Sequence, residues 1–372
     1  MGARRRAARE GAANRWSAME SLEPRQLLSG NVLAFVTGGS LVVIGDALDN
    51  DIAITAGAEA GEVIVGSGGV SATQVNSTGT PVTFSGVTRS LVVALRFGDD
   101  RLTISGLDVN KSVAIDMGVG SNHVTLDSDT SITGNLAIVG RGASSDVTLE
   151  DTTVGVSAVI VGSIGADTLT TDALAIGRAL VVKTGWGNDV ASLTDSTLGH
   201  AAVFSGTDVT LDGSTVDGPL VVVAGPLDGN VSILDSTING AAVFVVGLGT
   251  DTMTISGSTF NSAVAIRTGI GADTININGS TFNGRFALVT GIGADTINVA
   301  TTANVTFARA AVFSTGISND HVTLGDSGAG TAATFQSVAA FDGGLGSDTL
   351  TYQGNANVFA VDPLRVSFET IN

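Results

Sequence analysis

A chain of 372 residues with 50 Gly, 5 Pro, 43% apolar residues and no Cys suits either a few ordinary domains or one long repeat array, and excludes both a disulfide framework and thiolate metal sites. Its formal charge of −18 is unevenly spread: six Arg and three Glu give residues 1–30 a charge of +3, which leaves −21 on residues 31–372. A body this acidic disfavours nucleic acid and anionic membrane surfaces as partners, and no apolar run approaches the ~18 residues of a membrane span.

Residues 1–30 are Arg-rich, show no strand alternation and lack the apolar run of about 7–15 residues that a secretory signal needs. They are expected to form a short disordered targeting segment. Within them lies Leu22-Glu23-Pro24-Arg25-Gln26-Leu27-Leu28-Ser29. This stretch resembles the LEPR-XLL motif near the N-terminus of secreted proteins of planctomycete bacteria, matching it at Leu22, Glu23, Pro24, Arg25, Leu27 and Leu28. The resemblance implies export, hence an extracellular or cell-surface location, and carries no information about activity.

Residues 31–98 are rich in strand-like segments, including Leu41–Ile44, Asp51–Ile54 and Val92–Leu95, and read as degenerate N-terminal coils and a cap. From 99 to 354 the chain repeats. An acidic residue or Asn recurs after a Gly-containing turn and before an alternating strand, at Asp100, Asn122, Asp146, Asp167, Asp189, Asp208, Asn230, Asp251, Asp273, Asp295, Asp320 and Asp348. The commonest spacing of these anchors is 22 residues. In the coil Asp273–Ala294, Thr274 to Ile277 alternates with period two, Gly279–Gly284 makes a corner with one inward Phe282, and Phe286–Thr290 forms another strand before Gly291 and Gly293 turn the chain. Three short strands per turn of about 22 residues cannot bury their apolar face alone but do so when stacked, so the repeat predicts an all-β fold: a parallel β-helix of roughly 12 or more coils and about 55–60 Å. Phe260 and Phe282 should stack inward with Ile238, Val216 and Leu198. Thr252, Thr274 and Thr296 should align, as should Ser236, Ser258 and Ser280. Residues 355–372 lose the repeat and are expected to cap the last edge.

The chemistry in this array is repetitive. Gly-x-Gly-x-Asp occurs at Gly185–Asp189, Gly247–Asp251, Gly269–Asp273, Gly291–Asp295 and Gly344–Asp348. Gly343–Thr351 resembles the calcium-binding nonapeptide of RTX β-rolls, in which Asp carboxylates and turn carbonyls share Ca²⁺. That resemblance makes Asp189, Asp251, Asp273, Asp295 and Asp348 a candidate calcium column, and Ca²⁺ the one cofactor to consider. Two features depart from it: the period is 22, and Thr184, Thr268 and Thr290 replace the first Gly. The competing reading is an outward-bent Asx-type corner tolerating roughly 0.9 kcal/mol of repulsion per stacked neighbour in water. His123, His200 and His321 have no ligand spacing, and Arg267, Arg285 and Lys183 are the basic side chains nearest to forming a cluster. Repetition without a singular cluster points to a noncatalytic exported rod with a structural, adhesive or matrix role, whose partners are envelope components, glycans or other surface proteins. The alternatives are a polysaccharide lyase or hydrolase on the same fold and a calcium-binding surface protein.

Overall fold

The computed structural model describes residues 30–206, 208–225, 227–353 and 357–372, so the motif at Leu22–Leu28 lies outside the described residues. The chain is a parallel β-solenoid of about 13 turns of about 22 residues, with no helix among the described residues. From Leu91 onward each full coil contributes one strand to each of three sheets, which count 16, 12 and 16 strands, the N-terminal strands before Leu91 joining only two of them. In the coil from Asp273, Thr274–Asn278 belongs to sheet 1, Thr281–Phe282 to sheet 2 and Phe286–Ile292 to sheet 3.

Alternation decides which side chains enter. Ile275 and Ile277 are fully buried between half-buried Thr274, Asn276 and Asn278. The strand pairs in register with its successor, Thr274 facing Thr296 and Ile275 facing Ile297, so each side chain lies over its counterpart one coil away. Identical neighbours pack best under this constraint. Sheet 2 inserts one residue per coil into the core, and toward the C-terminal end these are Phe260, Phe282, Phe307, Phe335 and Phe359. Their rings stack at 4.9–5.1 Å, tilted by 2–8°. The expected continuation through Ile238, Val216 and Leu198 is present. Sheet 3 compensates for volume: where Phe204, Phe244, Phe313 or Phe341 points inward, the preceding inward residue is Ala202, Ala242, Ala311 or Ala339.

The corner after sheet 1 needs a left-handed residue in each coil, supplied by Gly213, Gly257 and Gly279 at φ 59–62° and by Asp151, Asp195 and Asp235 at 44–46°. Beside it Ser196, Ser214, Ser236, Ser258 and Ser280 form the expected hydroxyl ladder. Each of Ser196, Ser214, Ser236 and Ser258 donates its backbone N–H to the hydroxyl of the next serine at 3.0–3.1 Å. The long coils take their extra residues at this corner, at 300–304 and 325–332.

The ends are closed differently. At the N-terminal end Asn31–Thr37 pairs antiparallel with Ser40–Ile44, and Asp51–Ala56 pairs antiparallel with Val63–Ser67. Those hairpins fold over the first coil. At the other end Val358–Phe359, Leu364–Val366 and Thr370–Ile371 do not leave the repeat: all three extend their sheets in parallel register. The sequence pattern is lost there because this last coil has no successor to bury it, and Leu364–Val366 and Thr370–Ile371 are exposed.

Phe282 tests the register. It has no exposed surface and is stacked between Phe260 and Phe307. Phe282→Asp should cost at least about 4 kcal/mol, from lost ring contacts plus an unpaired buried charge. A thermal melt followed by circular dichroism should show a large loss of stability, and an unchanged melt would mean that Phe282 does not face the core.

Candidate functional site

The corner between sheet 3 and sheet 1 carries the repeated acid. The structure brings all five candidate calcium ligands, Asp189, Asp251, Asp273, Asp295 and Asp348, into one column along the rod. They face inward, with 0–1% of their surface exposed. The outward, salt-screened corner expected from the sequence is therefore corrected. The glycines explain the turn: both Gly of each Gly-x-Gly have positive φ, 105° and 151° at Gly269 and Gly271, 113° and 145° at Gly291 and Gly293. This double turn swings the Asp back under the chain.

The carboxylates replace missing backbone acceptors. The N–H of Asp251 donates to Oδ1 of Asp273 at 2.9 Å, that of Asp273 to Asp295 at 2.8 Å, that of Asp295 to Asp320 at 2.8 Å and that of Asp320 to Asp348 at 2.8 Å. At the C-terminal end the N–H of Asp348 donates to Oε2 of Glu369. The same bond is made by a neutral side chain at Asn122, whose Oδ1 accepts from Asp100 at 2.9 Å. The column thus works without charge.

Three anchors are misplaced by one residue in the sequence reading. Asp146 lies opposite His123, Asp208 opposite Val190 and Asn230 opposite Thr252, all outward at the start of sheet 1. In the coils of Asp146 and Asn230 the column position belongs to Ser145 and Gly229. Gly229 donates its N–H to Asp251 at 2.7 Å.

A second inward column was not anticipated. Five residues before each Asp, Thr184, Thr268, Thr290 and Thr315 donate their hydroxyls to the carbonyls of Ser205, Thr290, Thr315 and Gly343 at 2.7–2.9 Å. The recurring Thr-Gly-x-x-x-Asp was the signal, visible in four coils. With those hydrogens committed, Oδ2 of Asp273, Asp295 and Asp320 is buried without a hydrogen-bond partner, as is that of Asp251 and Asp348, where Val246 and Gly343 stand in the threonine's place.

Burial pushes Asp100, Asp251 and Asp295 up to about 6, above the ordinary 3.8. At Asp295 the Asp273 N–H opposes the rise, and the charges of Asp273 and Asp320 add to it. Burial also raises Asp167, Asp320 and Asp348.

The remaining candidates do not converge. His123 contacts Thr125 at 3.0 Å and is lowered by burial and by Arg101, while His200 and His321 are exposed elsewhere. Lys183 and Arg267 share an outward column of sheet 3, four coils apart, and Arg285 lies at the leading edge of that sheet. No group of three or more acidic or His side chains among the described residues is arranged to hold a metal ion. No protein family, curated protein or solved structure matches this chain.

The raised Asp residues fix the sign of a pH dependence. Below about 3.8 these carboxyls are neutral in both states; between there and about 6 the unfolded chain ionises first, so stability falls as pH rises. The melting temperature should therefore be higher near pH 4 than near pH 7. Asp251→Asn with Asp295→Asn should raise it at neutral pH and flatten the slope. Loss of stability in this variant, or a wild-type melt raised by Ca²⁺ well beyond matched Mg²⁺, would contradict a charge-independent structural role.

Proposed function

We propose that this protein is a noncatalytic rod that acts outside the cell, as a structural, adhesive or matrix element. The observation that carries the reading is the repetition of its surface. Sheet 1 presents Thr, Ser or Asn at the same outward position in twelve successive coils from Thr103 to Thr351. Asn239, Asn261 and Asn283 form an exposed amide ladder at 2.7–2.8 Å beside sheet 2. Such faces suit contact along a length, whereas a polysaccharide-cleaving site needs one unrepeated set of acid, base and charge-stabilising groups.

Within this reading the Asp column closes corners and does not bind calcium. A calcium ion takes about 6–8 oxygen ligands. Each of Asp251, Asp273 and Asp295 has one oxygen committed to a backbone N–H and a second sealed from solvent.

The location rests on the stretch Leu22–Leu28. Deleting residues 1–30 should retain the protein inside the cell while the purified body keeps its β content and melting behaviour. Undiminished appearance of the shortened chain in the medium or envelope fraction would remove the support for export.

A further inference from the structure

Sheet 3 turns an unusual surface to solvent. Its first outward position is Val or Ala in twelve successive coils from Val92 to Ala340. Beside it, the middle residue of the Gly-x-Gly corner adds a ridge of large apolar side chains. Trp186, Leu345 and Ile270 on this ridge are 76%, 68% and 52% exposed. Ridge and sheet are continuous, since Ile270, Ile292 and Ile317 stack in the sheet's own ladder. The column between them mixes Val and Ala with Asp116, Lys183, Ser205, Arg267, Ser314 and Asp342. Twelve coils at ~4.8 Å and three columns ~6.6 Å apart therefore expose roughly 650 Å² of apolar surface, at the top of the roughly 300–600 Å² of the largest apolar patch on a typical monomer.

The basic residues gather around this face. Of the eleven Lys and Arg after residue 30, Arg101 alone stands on sheet 1. Arg89, Lys111, Arg178, Arg285 and Arg309 line the corner leading into sheet 3, all exposed, and Lys183 and Arg267 rise from the sheet. The ion pairs among the described residues are Arg141–Asp116 and Arg365–Asp362, so these seven have none. Six acids, Asp127, Asp146, Glu150, Asp172, Asp208 and Asp212, project from sheet 1, whereas sheet 3 carries Asp116, which pairs with Arg141, and Asp342. An acidic protein has placed its positive charge around its apolar face.

We propose that the outward side of sheet 3 and its basic rim dock on an anionic lipid bilayer, lying flat in the interface. Apolar columns with an exposed Trp enter the headgroup boundary while the Arg and Lys rim stays among phosphates, the combination on which interfacial binding depends. A second copy fits less well. Its sheet 3 would bring Lys183 and Arg267 against the same charges, and its sheet 1 would bury Thr and Asn groups against Val without partners. The proposal stands on this face alone and does not depend on how the chain is targeted.

The test uses the full chain carrying Trp16→Phe, which leaves Trp186 as its only tryptophan. Co-sedimentation with phosphatidylcholine vesicles containing phosphatidylglycerol should show binding, with a blue-shifted Trp186 emission, and weaker binding to phosphatidylcholine alone. Each basic residue near an anionic leaflet strengthens binding roughly fivefold, so Arg178→Gln, Arg285→Gln and Arg309→Gln together should weaken it roughly a hundredfold with unchanged circular dichroism. Added salt should weaken it as well. Absence of binding to the anionic vesicles, binding unaffected by the triple change, or self-association in sedimentation equilibrium without vesicle binding would each overturn the proposal.

Discussion

The fold depends on one requirement: every backbone N–H must find its acceptor one coil away, including where the chain turns a corner. Along the strands the ladder does this automatically. At two corners the carbonyls point elsewhere, and side-chain oxygens take their place. Asp or Asn serves at the Gly-x-Gly turn, and Ser serves after sheet 1. Because the acceptor comes from the adjacent coil, each substitution must recur at the same place in the repeat. The 22-residue period is the trace of that recurrence.

The two devices differ in cost. A serine hydroxyl accepts an N–H and still donates its hydrogen, as Ser258 does to the Ser256 carbonyl at 2.9 Å. A carboxylate has no hydrogen to give unless it is protonated, and its second oxygen is left facing a dry interior. That imbalance raises Asp251 and Asp295.

Much of this was legible in the sequence. Alternation and period identified sheet, coil and core, and the Phe260–Phe282 stack and the Ser236–Ser258–Ser280 ladder were found where the spacing put them. The errors arose where residue type stood in for position. Asp146, Asp208 and Asn230 resemble the anchors chemically but point outward, one residue beyond the turn. At Asp189, Asp251, Asp273, Asp295 and Asp348 two positive-φ glycines precede the inward Asp, a combined bend that no alternation rule records, and Asp167 turns inward without them. Net charge carries no information about placement either. A total of −21 suggests repulsion from anionic surfaces, but a sum says nothing about sides, and seven of the eleven basic residues after residue 30 stand on sheet 3 or on the corner leading into it.

Amide hydrogen exchange at Asp273 tests most directly whether side-chain oxygens complete the ladder at these corners. Its N–H donates to Oδ1 of Asp295. Replacing that acceptor by Asp295→Ala should speed exchange at Asp273 by roughly tenfold or more, while Asp295→Asn should leave it protected. Equal protection of the Asp273 amide in wild type and the Ala variant would contradict a corner bond that supports the stacking of coils.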